Sequence, residues 1–354
     1  MMRRMRIAAS ILLVLILAAG IGLTARAAPN APDRARDPVP LAGVALRDET
    51  GLRLLVSGNP PFVLDVDTGR VMPVPGIPVL SRGTLSVVGV GGRAAAVVAR
   101  SAWQRADIYA VRGREARVSP LGTGTNVRPA GDDRTVWVQS AVSRSRCTLR
   151  RMGLDGRQLR AARAFPCATV SDPVGGTLGL VVRRTRVLDP HTGRSVLATR
   201  WGVLAAAGTK LVLAGPDKQF TLLDGETGAQ QRLAWPSILG WLGRPAADPH
   251  GRYVALAFVA PTWYALGIPQ GQVLDVWLLE TKTGKLTQLP GMPAFVSIKR
   301  TSIAWTDDGR LVLLGESNGK DVVAVWRPGQ RRLALKTVHL PEPSGGGNSF
   351  ATLG

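Results

Sequence analysis

The sequence predicts an all-β chain: a seven-bladed β-propeller of four-stranded antiparallel blades, preceded by an N-terminal signal or anchor helix. Three observations predict it. One turn pattern recurs along the chain, a second turn series interleaves with it, and no stretch after residue 27 keeps helical periodicity over about ten residues.

The recurring pattern is an apolar strand, an acidic residue, then Thr-Gly. It occurs at Val63–Gly69, Val187–Gly193, Leu222–Gly228 and Leu278–Gly284, with weaker versions at Gly113, Gly156 and Gly329. This is hairpin chemistry. The acidic and Thr side chains bond the turn backbone, and the Gly takes a positive φ. The second series comprises Glu49–Gly51, Gly91–Gly92, Asp132–Asp133, Gly175–Gly176, Gly208–Thr209, His250–Gly251 and Asp308–Gly309, each followed by a short apolar strand. Two hairpins per unit and a period of roughly 43 residues are those of a propeller blade. A sandwich has no reason to repeat one turn pattern in this way.

Both ends of the chain lie outside that repeat. Arg3, Arg4 and Arg6 precede an apolar run from Ile7 to Thr24, and Ala25-Arg26-Ala27 offers the small-x-small pattern of a cleavage site. Residues 1–27 therefore read as a signal peptide, with an uncleaved membrane anchor as the alternative. No Cys follows the run, which argues against a lipid-anchored form. Residues 28–40 read as a Pro-rich linker, residues 41–340 as the propeller and residues 341–354 as a disordered tail. The folded part is expected outside the cytoplasmic membrane, secreted or in the cell envelope. In that oxidising compartment Cys147 and Cys167, the only cysteines, are expected to form a disulfide. Reflected through the Asp155-Gly156 turn, position 147 pairs with 164, so Cys167 lies beyond perfect register and a bulge or bend must close the gap.

The turn pattern, with Trp305–Arg310 and Ala247–Arg252, resembles the bacterial propeller superfamily that takes in TolB-like, YVTN-like and WD-repeat-like domains. The resemblance covers roughly residues 41–340 and implies fold rather than function. The Asp-x-x-Thr-Gly turn also resembles repeats of quinoprotein dehydrogenases. This chain lacks their regular blade-docking Trp, so no quinone cofactor is carried over.

No catalytic centre, cofactor site or metal site is read from the sequence. Gly315-Glu-Ser317-Asn-Gly319 matches the serine-hydrolase G-x-S-x-G, but it falls between two short strands instead of a strand and a helix. His191, His250 and His339 read as solvated turn or strand residues, and the Asp pairs 132/133 and 307/308 as turn residues.

Charge gives the functional expectation. The chain holds 45 Lys and Arg against 24 Asp and Glu, a formal +21, which favours anionic partners. The predominance of Arg over Lys, with abundant Ala, Gly and Pro, is also what GC-rich codons produce. Distribution is therefore more informative than total. Blade geometry puts both turn series on one face, where acidic and basic residues mix. The second-to-third-strand loops and the connections between blades fall on the other. There lie Arg82, Arg100, Arg105, Arg128, Arg144, Arg146, Arg183, Arg184, Arg186, Arg200, Lys218, Arg244, Lys299, Arg300 and Lys320. Against them stand only Asp107, Asp217, Glu316 and Asp321. Trp103, Trp201, Trp241, Trp263 and Tyr264 share these loops, and the stretch from Phe258 to Gln272 makes the longest of them. Arg beside exposed aromatics suits anionic or sugar-containing polymers.

The expectation is a non-catalytic exported binding or scaffold module whose ligand is a protein partner or an anionic envelope polymer. Nucleic acid is disfavoured by export, and membrane contact is expected only through an uncleaved N-terminal helix. The alternative is a propeller-type extracellular lyase or glycan-acting hydrolase. Such an enzyme needs converging His, Tyr or carboxylate groups, which the basic face scarcely offers.

Overall fold

A computed structural model describes residues 38–101, 105–167, 175–176, 179–182, 185–189, 191–192, 194–216, 219–234, 241–243, 245–261, 271–297, 302–341 and 349–354. The N-terminal signal or anchor segment lies outside them, as do Trp103, Arg183, Arg184, Lys218, Arg244, Trp263, Tyr264, Lys299 and Arg300.

The described chain forms seven antiparallel-based sheets, five of them four-stranded. In chain order, sheet 2 holds Thr84–Val90, Ala94–Arg100, Ala106–Arg112 and Arg117–Gly124. Sheet 3 holds Asn126–Pro129, Thr135–Ala141, Arg146–Gly153 and Gln158–Pro166. Sheet 4 covers Gly175–Gly176 to Ser195–Ala198 and sheet 5 Gly202–Ala207 to Gln230–Leu233. Sheet 1 takes its second to fourth strands from Arg53–Val56, Phe62–Asp65 and Val71–Pro73, and its first from the far end of the chain, Phe350–Leu353. Consecutive sheets pack face on face, so a strand buries both its faces and reads as an unbroken apolar run. In Arg53–Val56, Leu54 packs toward Val312 and Val323 of sheet 7, while Leu55 packs toward Ala95 and Val97 of sheet 2. The last sheet thus packs on the first, and the fold is a β-propeller.

The turn chemistry accounts for the hairpins. The Asp65 carboxylate accepts from the Thr68 amide and hydroxyl, both at 3.0 Å, while the Gly69 amide donates to the Asp65 carbonyl at 2.8 Å. Asp224 accepts from the Thr227 amide and Glu280 from the Thr283 hydroxyl, and the Gly228 and Gly284 amides donate to the carbonyls of Asp224 and Glu280. Gly69 (φ 72°) and Gly284 (φ 71°) hold the left-handed conformation that closes the turn. Gly193 lies outside the described residues.

Several expectations are corrected. The terminal segment 341–354 is not wholly a loose tail: Phe350–Leu353 is a buried strand paired with Arg53–Val56, and it closes the ring. Glu49–Gly51 is consequently no hairpin. Its Thr50 and Gly51 amides donate to the Asp67 carboxylate at 2.9 and 2.6 Å. The linker expected over 28–40 ends in a strand, Val39–Pro40, parallel to Ala294–Phe295 of sheet 6. Gly43–Ala45 then runs parallel to Leu333–Leu335 of sheet 7. Gly43–Ala45 makes sheet 7 five-stranded; sheet 6 reaches seven strands because Val39–Pro40 and Ala294–Ser297 join it and its first strand is split into Trp241–Leu242 and Ala246–Ala247. The Ser317 hydroxyl joins the two sheets, accepting from the Leu41 amide and donating to the Phe295 carbonyl, both at 3.0 Å. The G-x-S-x-G serine is thus a buried structural residue at a hairpin end, beside Asn318 and Gly319 in positive φ. In the stretch from Phe258 to Gln272, the described residues are strand rather than loop: Tyr253–Pro261 pairs with Gly271–Glu280 over its full length. Residues 262–270 lie outside the described set.

Candidate functional site: the basic loop face

The strand order puts the two ends of the ring in different electrostatic states. Every ion pair among the described residues lies at the turn end. Arg53 meets Asp65 at 3.3 Å, Arg151 meets Asp132 at 2.6 Å and Arg252 meets Asp248 at 3.2 Å. The others are Arg93–Asp307, Arg117–Glu115, Arg134–Asp133, Lys210–Asp224, Arg310–Asp308 and Arg327–Asp308. At the loop end, Arg82, Arg105, Arg144, Arg146, Arg186 and Arg200 are exposed, and none has an ion pair among the described residues.

Six turn-end carboxyls, Asp65, Asp67, Asp132, Asp189, Asp224 and Asp308, have their pKa lowered. At Asp65, burial pushes the carboxyl up, but the Thr68 amide and hydroxyl and the Arg53 guanidinium outweigh it. At Asp132, burial is likewise outweighed by Thr135, the Arg134 amide and Arg151. Asp224 is held at about 2, first by the Lys210 ammonium and then by the Glu226 and Thr227 amides. Carboxyls that hold protons less tightly folded than unfolded contribute stability that is present above their unfolded pKa. That stability is lost as pH falls through the folded pKa. Thermal midpoints measured from pH 6 down to pH 2.5 should therefore stay level at first and drop below about pH 4. A midpoint unchanged down to pH 2.5 would contradict this.

His191 is half-buried instead of solvated. Its ring lies 5.4 Å from Trp137, edge-on, and its Nε2 is 3.5 Å from Arg151. Burial first, then Arg160, pushes its pKa down. The His250 Nε2 lies 2.6 Å from the Asp307 carbonyl, between the turns of sheets 6 and 7. Among the described residues, no three His, Cys, Asp or Glu side chains converge as metal ligands.

Loop-end residues are held by local bonding. Arg144 and Arg146 sit on the turn after Ala141, where the Val142 and Ser143 amides donate to the Arg146 carbonyl at 2.8 and 3.0 Å. A disulfide anchors that turn, joining Cys147 to Cys167 with Cα atoms 4.8 Å apart. Bulges near Arg151 slide the strands so that Cys147 opposes Phe165 instead of position 164. The Cys167 amide then bonds the Ser145 carbonyl at 2.8 Å. Cys167 thus stands two residues past register, and the bend after Pro166 brings the sulfurs together. Arg105 precedes the third strand of sheet 2, next around the ring. Arg186 opens the third strand of sheet 4, and Trp241 lies on an exposed edge strand of sheet 6.

Two expected members do not belong to this surface in the way anticipated. Arg128 is buried within the first strand of sheet 3, because the connection from sheet 2 is a single residue. Trp201 is half-buried, lying so close over Gly215 that a β-carbon there would come within 2.7 Å of its ring. Sequence reasoning missed Val79 and Val142, exposed at the tips of the 74–83 and 142–145 loops. For Val142 the signal was a lone β-branched residue in a polar turn, whereas Val79 lies in the apolar, Pro-rich run Val74–Leu80.

No family model and no curated protein matches the sequence. Among solved structures, the chain is similar to the β-propeller domain of the Trilobed protease from Pyrococcus furiosus. The identity is 10%, over 73% of this chain and 84% of that one, with a TM-score of 0.47. It is also similar to a chain of the Mitotic Checkpoint Complex at 15% identity, covering 88% and 98%, with a TM-score of 0.45. A protein from Lactobacillus plantarum matches at 13%, covering 84% and 99%, with a TM-score of 0.46. The class assigned to this chain, a β-propeller, rests on its own strand order and packing.

Proposed function

We propose that the chain is an exported, non-catalytic binding module: a seven-bladed ring that presents its loop end to a polyanion of the cell envelope. The observation that carries the reading is the partition of ion pairs. Among the described residues, ion pairs form only at the turn end, where they neutralise part of the cations, while the exposed loop-end arginines have none. Codon usage can raise Arg throughout a chain, but it has no reason to strip acids from one set of loops. Seven sheets in a closed order support the blade count, with sheets 6 and 7 read as blades carrying added edge strands. The N-terminal apolar run and the disulfide support export. Unpaired guanidiniums offer bidentate bonds to phosphate, sulfate or carboxylate.

The test is a titration with soluble polyphosphate of wild type and of the variant Arg105→Ser/Arg144→Ser/Arg146→Ser. These exposed sites should cost within about 0.5 kcal/mol each in stability. Binding should weaken severalfold in the variant and fall with rising salt, since exposed charges are screened over about 10 Å at 0.1 M. Equal binding by both proteins, at every salt concentration, would mean that the arginines are only a solvated surface.

A further inference from the structure

The most exposed apolar side chains gather at the loop end. Among the described residues the large ones are Val39, Val44, Val79, Val142, Leu159, Val196 and Trp241. Val39 and Val44 lie on the N-terminal edge strands, and Leu159 and Val196 on the outer strands of sheets 3 and 4. The remaining three all belong to the loop end, whereas Leu159 and Val196 stand near the turn-end starts of their strands. The three are also the most exposed of the set: Val79 at 65%, Val142 at 62% and Trp241 at 58%.

Each loop-tip valine is paired in sequence with arginine. Val142 begins the run Val-Ser-Arg-Ser-Arg, and Val79 precedes Arg82. Neither tip is loose. The 142–146 turn is anchored by Cys147–Cys167. The 74–83 loop is held where the Leu80 amide donates to the Asn59 side chain at 2.8 Å and the Asn59 amide donates back to the Leu80 carbonyl. A soluble polyanion would satisfy the arginines yet leave two valines and an indole facing water. A layer that is anionic outside and apolar just beneath satisfies both. Trp in particular favours such an interface, with its ring in the apolar part and its N–H toward water.

We infer that the polyanion at the loop end is an anionic lipid surface: the arginines bind the headgroups while Val79, Val142 and Trp241 enter the boundary with the acyl chains. This rests on the basic-face reading above and adds a membrane contact to any made by the N-terminal segment. Charge attraction and shallow apolar burial add together, as they do for peripheral membrane proteins.

The experiment measures sedimentation of the full chain with vesicles of phosphatidylcholine, alone or mixed with phosphatidylglycerol, alongside the polyphosphate titration. The variant is Val79→Ser/Val142→Ser/Trp241→Ser, which leaves the charge unchanged, with Val142→Ser alone as a milder form. Wild type should bind the mixed vesicles and not the neutral ones. The triple variant should lose about tenfold in vesicle affinity and keep its polyphosphate binding, because only the apolar transfer is removed. Wild type that binds polyphosphate but not mixed vesicles would overturn the lipid assignment and leave the basic-face reading standing. So would a triple variant that sediments like wild type. Binding to neither would overturn both.

Discussion

Removing residues 349–354 should cost this protein most of its stability. The Phe350–Leu353 strand is the first strand of sheet 1, and its four side chains are almost wholly buried. Phe350 belongs to the core between sheets 7 and 1, and Ala351 and Leu353 to the core between sheets 1 and 2. The strand therefore fills the two seams where the ring closes. Truncating a buried Phe or Leu to Ala costs about 2–5 kcal/mol, and domains hold only about 5–15 kcal/mol in all. Leu353→Ala alone should lower the thermal midpoint clearly, and the deletion should abolish a single cooperative transition. The bared edge of Arg53–Val56 should also promote association between copies. Thr352→Val would act more mildly, losing bonds from the hydroxyl to the Gly92 and Trp305 carbonyls, worth about 1 kcal/mol each. Scanning calorimetry and sedimentation read these outcomes. A deletion variant as stable and monomeric as wild type would show that the ring does not depend on this strand.

The second large effect belongs to the disulfide. Cys147 and Cys167 are 20 residues apart, a separation for which chain-entropy reasoning gives about 3 kcal/mol of stabilisation. Replacing both by Ser should remove most of that, since Cys147 is buried and gains a hydroxyl where Gln139 now lies beside its sulfur. The damage should be greatest at the 142–146 turn. Amide exchange should accelerate at Val142, Ser143 and Arg146 well before sheets 5 to 7 respond. Wild type in reductant should follow the variant. Uniform destabilisation, with no extra exchange at that turn, would mean the bridge acts only on the unfolded chain.

What the sequence made legible follows from where its signals are local. The Asp-x-x-Thr-Gly hairpins were readable because all their bonding groups lie within five residues, as Asp65 to Gly69 shows. Ring closure is not local. Phe-Ala-Thr-Leu at 350–353 is only four residues long and follows a Gly-rich stretch, so composition made it look like a tail. One clue is present: the strand before Glu49–Gly51, Gly43–Ala45, is only three residues long and pairs with sheet 7, so the first blade needs its inner strand from elsewhere. The charge asymmetry was legible because strand order alone assigns loops to ends. Burial was not, as Arg128 shows, since a one-residue connection looks like a loop until the register is known.

The central claim is that position, not total charge, determines binding. It is tested by comparing two variants of equal net charge. One is Arg105→Ser/Arg144→Ser/Arg146→Ser at the loop end. The other is Arg157→Ser/Arg331→Ser/Arg332→Ser at the turn end, where these side chains are exposed and have no ion pair among the described residues. Both are titrated with polyphosphate at low salt. The loop-end variant should bind severalfold more weakly than wild type, and the turn-end variant should stay close to it. Equal losses in the two would contradict the claim, because the ligand would then be responding to the overall charge and not to a face.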